Sequence, residues 1–198
     1  MKVYIAKELL GQLEQEVRQT LQTAQQLRSL SNERLNTQPQ VGTWSIAQVL
    51  EHLNSYNRYY LPEIETALQK ARLRSVRRKE TFSPGWFGNY FTKMMQPGQG
   101  GVISKKYSAP KDHVPGAKQD VARVIDEFIN GQERLIDFLQ QSLLTNMGSI
   151  KVPISISRFI RLKLGDTFRF LIAHQQRHFI QIQAILNRLE QAAPVAVK

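Results

Sequence analysis

Apolar side chains recur along this chain at the three-to-four-residue interval of an α-helix, in four long stretches. The first runs from about Tyr4 to Leu30, where Leu10, Leu13, Val17, Leu21, Ala24 and Leu27 form one stripe. The second runs from Ser45 to about Arg72, with Val49, His52, Leu53, Tyr56 and Tyr60 on its inner face. Ser45 and Gln48 have capping-box spacing, in which each side chain satisfies a backbone N–H at the helix start. Pro62 removes a helical N–H, which predicts a kink or local break near Tyr59–Leu61. The third stretch spans about Ala117 to Leu144, with Val121, Ile125, Phe128, Leu135 and Leu139 inward and Gly131 weakening it slightly. The fourth follows Gly165 and Asp166, either of which can serve as N-cap, and reaches about Gln191. Four long helices with two long connections predict an all-α fold, a four-helix bundle whose polar sites come from facing helices.

The connections have characters of their own. Pro39 and Gly42 break the segment from Ser31 to Gly42. Residues 80–116 are rich in Gly and Pro, yet Phe82, Trp86, Phe87, Tyr90 and Phe91 are too aromatic for a simple linker. A short helix over Trp86–Met95, packed as a lid on one end of the bundle, is expected there. Gly98–Gly101 lacks the Lys-Ser/Thr ending and the flanking strand of a phosphate loop. Ile150–Ile156 alternates apolar and polar residues, which predicts an extended piece with no visible partner strand. The division expected is one domain over 1–192 and a short tail over 193–198.

Composition narrows the chemistry. With 198 residues, 41% hydrophobic and 22% charged, the chain fits one globular domain. It has no Cys, which excludes disulfides, thiolate metal sites and a cysteine nucleophile. A bound metal must therefore use His, carboxylate or water. The first residues lack a signal-peptide core, and no apolar run nears the roughly 18–20 residues of a membrane span. A cytoplasmic protein without a membrane span is expected. The net charge of +11 is concentrated in Lys70–Lys79. Such a cluster suits phosphate, nucleic acid or an anionic membrane. No nucleic-acid module accompanies it, so it is read as a solvated helix end with cations at the dipole's negative pole.

The inward stripe of the fourth helix reads Phe168, Leu171, His174, His178, Gln181 or Ile182, Ile185 and Leu189. At i and i+4, His174 and His178 project side by side from an apolar face, where an imidazole without partners is costly. The pair reads either as core histidines or as metal ligands, and His52 of the second helix is the candidate third ligand. His113, between Pro110 and Pro115, is expected to be solvent-exposed; a fourth ligand or proton shuttle is its alternative role. Gln175 stands where a zinc protease carries its Glu base, so that reading fails.

Two motifs together resemble a known family. Gly42-Thr43-Trp44-Ser45 leads into Gln48-Val49-Leu50-Glu51-His52-Leu53, and Leu164-Gly165-Asp166 leads into His174-Gln175-Gln176-Arg177-His178 and Gln181. One early His and a late His pair, across nearly all of the chain, resemble the DinB-like (DinB/YfiT-like) superfamily of metalloenzymes. The resemblance implies that His52, His174 and His178 bind zinc or nickel, with water in the remaining positions. Characterised members include bacillithiol and mycothiol S-transferases and a thiol-dependent isomerase. By that resemblance the expected function is a thiol-dependent S-transferase, with a low-molecular-weight thiol as cosubstrate and a small-molecule substrate. Gln48, Tyr56 and Gln181 are expected to orient ligands or substrate. The alternatives are a metal-dependent hydrolase and a non-catalytic metal-binding stress-response protein. Hydrolysis lacks an evident base, since Glu51 should point about 100° away from His52 around the helix. A homodimer suits the architecture, and nucleic acid is not an expected partner.

Overall fold

The computed structural model describes residues 2–103 and 105–192, so the tail expected over 193–198 lies outside it. Six helices occur among the described residues: α1 (Ala6–Leu27), α2 (Asn32–Asn36), α3 (Ile46–Leu73), α4 (Trp86–Met95), α5 (Val121–Ser142) and α6 (Leu164–Ala192). Two small antiparallel pairs join β1 (Tyr4–Ile5) to β2 (Thr81–Phe82) and β3 (Lys151–Ile154) to β4 (Ser157–Lys163). The fold is all-α in its framework. Helices α1 and α3 each pack against both α5 and α6.

The amphipathic stripes close into two hydrophobic clusters. One joins Leu10, Leu13 and Val17 to Ile64, Leu139, Phe168 and Leu171; the other joins Ala24 and Leu27 to Val49, Leu50, Ile125, Phe128 and Ile182. Between them all four long helices bury polar residues: Thr20 on α1, His52, Asn54 and Asn57 on α3, Gln132 on α5, and His174 and Gln175 on α6. A polar layer thus divides the core.

Several boundaries differ from the sequence expectation. The first helix starts later because Tyr4 and Ile5 pair with Phe82 and Thr81. Ser45 caps α3, with the expected capping box to Gln48. That helix passes through Pro62 without a break. Arg58 and Pro62 lie together on its exposed face, so the carbonyl freed by the missing N–H faces solvent, while buried Tyr60, Leu61 and Ile64 hold the turn.

The last helix begins at Leu164, so neither Gly165 nor Asp166 is its N-cap. Gly165 is needed for close approach, because a Cβ there would lie 2.7 Å from the Phe82 ring. Asp166 instead accepts a hydrogen bond from the Gly85 N–H at 2.7 Å, at the start of α4, and pairs with Arg169 at 3.3 Å. Burial pushes its carboxyl pKa up. Helix α4 is seated there through Gly88, where a Cβ would meet Asp166 at 2.2 Å. Its Trp86, Phe87 and Tyr90 remain exposed.

The extended piece at Ile150–Ile156 does find a partner. Strand β4 pairs Val152 with Leu162 and Lys151 with Lys163, and the hairpin docks on α3 through Tyr59 Oη to the Ile154 carbonyl at 3.0 Å. The basic run Lys70–Lys79 is exposed at the C-terminal end of α3 and in the segment after it. No described helix is long and apolar enough to cross a membrane.

Candidate metal centre

Two of the buried polar residues in the dividing layer, His52 and His174, are imidazoles, and half-buried His178 meets them. His52 Nε2 lies 3.2 Å from His174 Nε2, and His178 Nε2 lies 3.0 Å from the same atom. One ring nitrogen from each of His52, His174 and His178 falls within 4.8 Å of the other two. Helix periodicity places His174 and His178 one turn apart on α6, and the contact of α3 with α6 brings His52 opposite them.

The outer nitrogens decide what the inner ones present. His52 Nδ1 is 2.7 Å from the His113 carbonyl, which can only accept, so Nδ1 carries the proton and Nε2 a lone pair. His178 Nδ1 donates to Gln181 Oε1 at 2.8 Å, with the same result. His174 Nδ1 has no partner among the described residues. Its ring is oriented by packing, with centroids 4.5 Å from Tyr56 and 6.0 Å from Phe170.

Electrostatics keep all three neutral. Burial lowers the His52 pKa to about 4 and, with the nearby His52 ring adding to it, that of His178 to about 3. Burial also holds His174 well below the usual histidine value. Inward lone pairs on neutral imidazoles are the donor set a borderline divalent ion takes. Outward hydrogen bonds from ligand rings are the common support of such sites.

The surroundings sort the remaining candidates. Trp44 covers the cluster at centroid distances of 5.0 Å from His52 and 6.5 Å from His178. Gln181 holds His178 as described above. Gln48 does not reach the imidazoles: its Oε1 accepts from the Ser45 N–H at 3.0 Å and its Nε2 donates to the Gly116 carbonyl at 2.9 Å. Tyr56 contributes its ring rather than an observed hydrogen bond, and burial raises its hydroxyl pKa to about 12.

His113 departs from its expected exposure, being only 6% exposed. Its ring stacks on Tyr56 at 3.8 Å, with Nδ1 2.8 Å from Ser55 Oγ and Nε2 3.1 Å from Ser155 Oγ. Both ring nitrogens are engaged, so it stands behind the site and positions His52 through its backbone. Pro110 and Pro115 gave no sign that the turn between them tucks inward.

Arg177, next to His178 in sequence, carries no motif signal of its own. It is 9% exposed, donates to the Lys105 carbonyl, and lies 5.4 Å over the Tyr107 ring. No carboxylate pairs with it among the described residues. Its lack of an acidic partner was not visible in the sequence, since partners are set by packing. Glu51 turns outward to Arg58 at 2.9 Å and Arg123 at 3.4 Å.

Comparison with known proteins identifies the family. The chain is 23% identical over 181 residues to the uncharacterized protein YuaE of Bacillus subtilis (strain 168), covering 87% of this chain and 95% of that one. No solved structure matches. A family model described as the DinB superfamily matches residues 12–182, a span that holds all three histidines, and on that match the chain belongs to the DinB superfamily.

Proposed function

We propose that this protein is a divalent-metal-dependent enzyme whose metal, zinc or nickel, is held by His52, His174 and His178, and that its reaction is thiol-dependent S-transfer. The observation that carries this reading is the convergence of three neutral imidazole nitrogens within 4.8 Å, two of them locked lone-pair-inward by outer hydrogen bonds. A bound ion of this kind supplies Lewis acidity that lowers the pKa of a thiol.

The chain's own residues supply the rest. His113 and Gln181 hold the rings of His52 and His178 in register. Trp44, Tyr56 and Phe170 wall the cluster with aromatic surface, which limits water. Arg177 offers a cation with no acidic partner among the described residues beside His178, suited to a carboxylate of a low-molecular-weight thiol. In the reaction the thiol sulfur forms a bond to an electrophilic carbon. The bond to the leaving group breaks, that group keeps the electron pair, and the thiol proton passes to solvent. Hydrolysis is the weaker reading, because Glu51 is tied to Arg58 and Arg123 and is not placed as a base.

Elemental analysis of the untreated protein beside its His52→Ala/His174→Ala/His178→Ala variant tests the site; about one metal per chain against none is expected. Turnover of a low-molecular-weight thiol with 1-chloro-2,4-dinitrobenzene tests the reaction. Metal present with no turnover, and a melting temperature lowered by His52→Ala, would assign the ion a structural role instead.

A further inference from the structure

Beside the imidazole cluster lies a cavity of about 200 Å³ that the four long helices do not form by themselves. Tyr56, Tyr60 and Phe170 give it a floor; Phe91 and Met95 of α4 and Ile154 of the β3–β4 hairpin are among its walls. Tyr56 and Phe170 are also the rings packed on His174. An occupant of the cavity is therefore separated from the cluster by the thickness of one aromatic side chain. The lining is overwhelmingly apolar, and the lining methionines can adjust their shape to a guest.

Resting on the metal-enzyme reading above, we infer that this cavity holds the apolar part of the substrate. It selects a small electrophile whose apolar part is one aromatic ring or a branched alkyl group. An apolar cavity of roughly 150 Å³ already holds a benzene molecule, so the volume here admits a ring with a small substituent. Its lining exposes far more apolar than polar surface, and two of its polar side chains are committed within the protein. Tyr60 Oη accepts from the Ser155 N–H at 3.2 Å, and Ser155 Oγ meets His113 at 3.1 Å. A sugar-like guest would thus find few groups to replace its water. The segments that close the pocket, α4 and the hairpin, lie outside the motifs that carry the histidines, so guest selection and metal binding are built from separate parts of the chain.

The test uses the protein as isolated with its metal, titrated with benzyl alcohol and with ribose by calorimetry or ligand-observed NMR. Benzyl alcohol should bind and ribose should not. Ile154→Phe and Met95→Phe, each filling the cavity from a different wall, should weaken benzyl alcohol at least tenfold while metal content stays at the wild-type level. Absence of benzyl alcohol binding, equal binding of ribose, or binding unchanged in both folded variants would overturn the pocket. Binding of benzyl alcohol to a chain that carries no metal would support the pocket and sink the metal reading alone, so the two failures are distinguishable.

Discussion

The polar layer across the core has two halves that differ in kind. On one side His52, His174 and His178 converge, and two of the three are held from behind by a carbonyl and an amide oxygen. On the other, Asn54, Asn57, Gln132 and Gln175 are equally buried, yet their amides converge on nothing. Gln175 reaches Asn57 only at 3.5 Å, and Asn54 Oδ1, Asn57 Nδ2 and both polar atoms of Gln132 have no partner among the described residues. The contrast teaches that burial of polar groups does not make a site. What distinguishes the imidazole half is a shared focus for lone pairs and an outer layer that orients them. The amide half carries donors and acceptors on each side chain, so it can be neutral without ordering toward one point.

The largest expected effect separates the halves outright. Replacing His52, His174 and His178 by Ala should remove bound metal, as read by elemental analysis, whereas Asn57→Ala and Gln132→Ala should leave the metal content unchanged. Equal loss from both sets would erase the distinction.

Acid should sharpen it next. In the metal-free protein His52 and His178 have folded pKa values of about 4 and about 3, below the usual 6.5. Above pH 6.5 folded and unfolded chains are both neutral at these rings, and stability is at its maximum. As pH falls through 6.5 the unfolded chain takes up protons that the folded chain refuses, so stability drops until the folded values are reached. At about 1.4 kcal/mol per pH unit, the loss per histidine is on the order of a few kcal/mol. Urea midpoints measured from pH 7 to 4 should show it, and the slope should flatten in the triple Ala variant.

A smaller effect concerns the outer support. Gln181→Leu deprives His178 Nδ1 of its acceptor and should weaken metal binding about 10- to 100-fold, measured by chelator competition. Gln48→Leu should not change metal affinity, since that side chain serves the helix start and the Gly116 carbonyl. It should instead lower stability by roughly 1 kcal/mol through the lost cap.

The smallest effect runs in the opposite direction. Gln132 is fully buried with neither amide atom paired among the described residues, so Gln132→Met should raise stability by about 1 kcal/mol in urea titration. The same logic applied to the imidazole half should fail, because His52→Met breaks a hydrogen bond to the His113 carbonyl.

Periodicity and capping chemistry alone determined much of this molecule. The stripes from Leu10 to Leu27, the box at Ser45 and Gln48, and the i, i+4 pair His174–His178 are local patterns. Local patterns survive reading one residue at a time, because a helix turn fixes which side chains share a face. Helix α4 was legible for a similar reason, as a dense aromatic segment between glycines. Packing decided the rest. Whether His52 faces His178, whether His113 turns inward, whether Arg177 has an acidic partner, and whether Ser157–Lys163 pairs with Lys151–Ile154 are all contacts between distant parts of the chain. Asp166 makes the point most simply. Its place after Gly165 suggested a cap for its own helix, but it reaches across to the Gly85 N–H instead, because a buried carboxylate binds whichever donor the tertiary fold brings within reach.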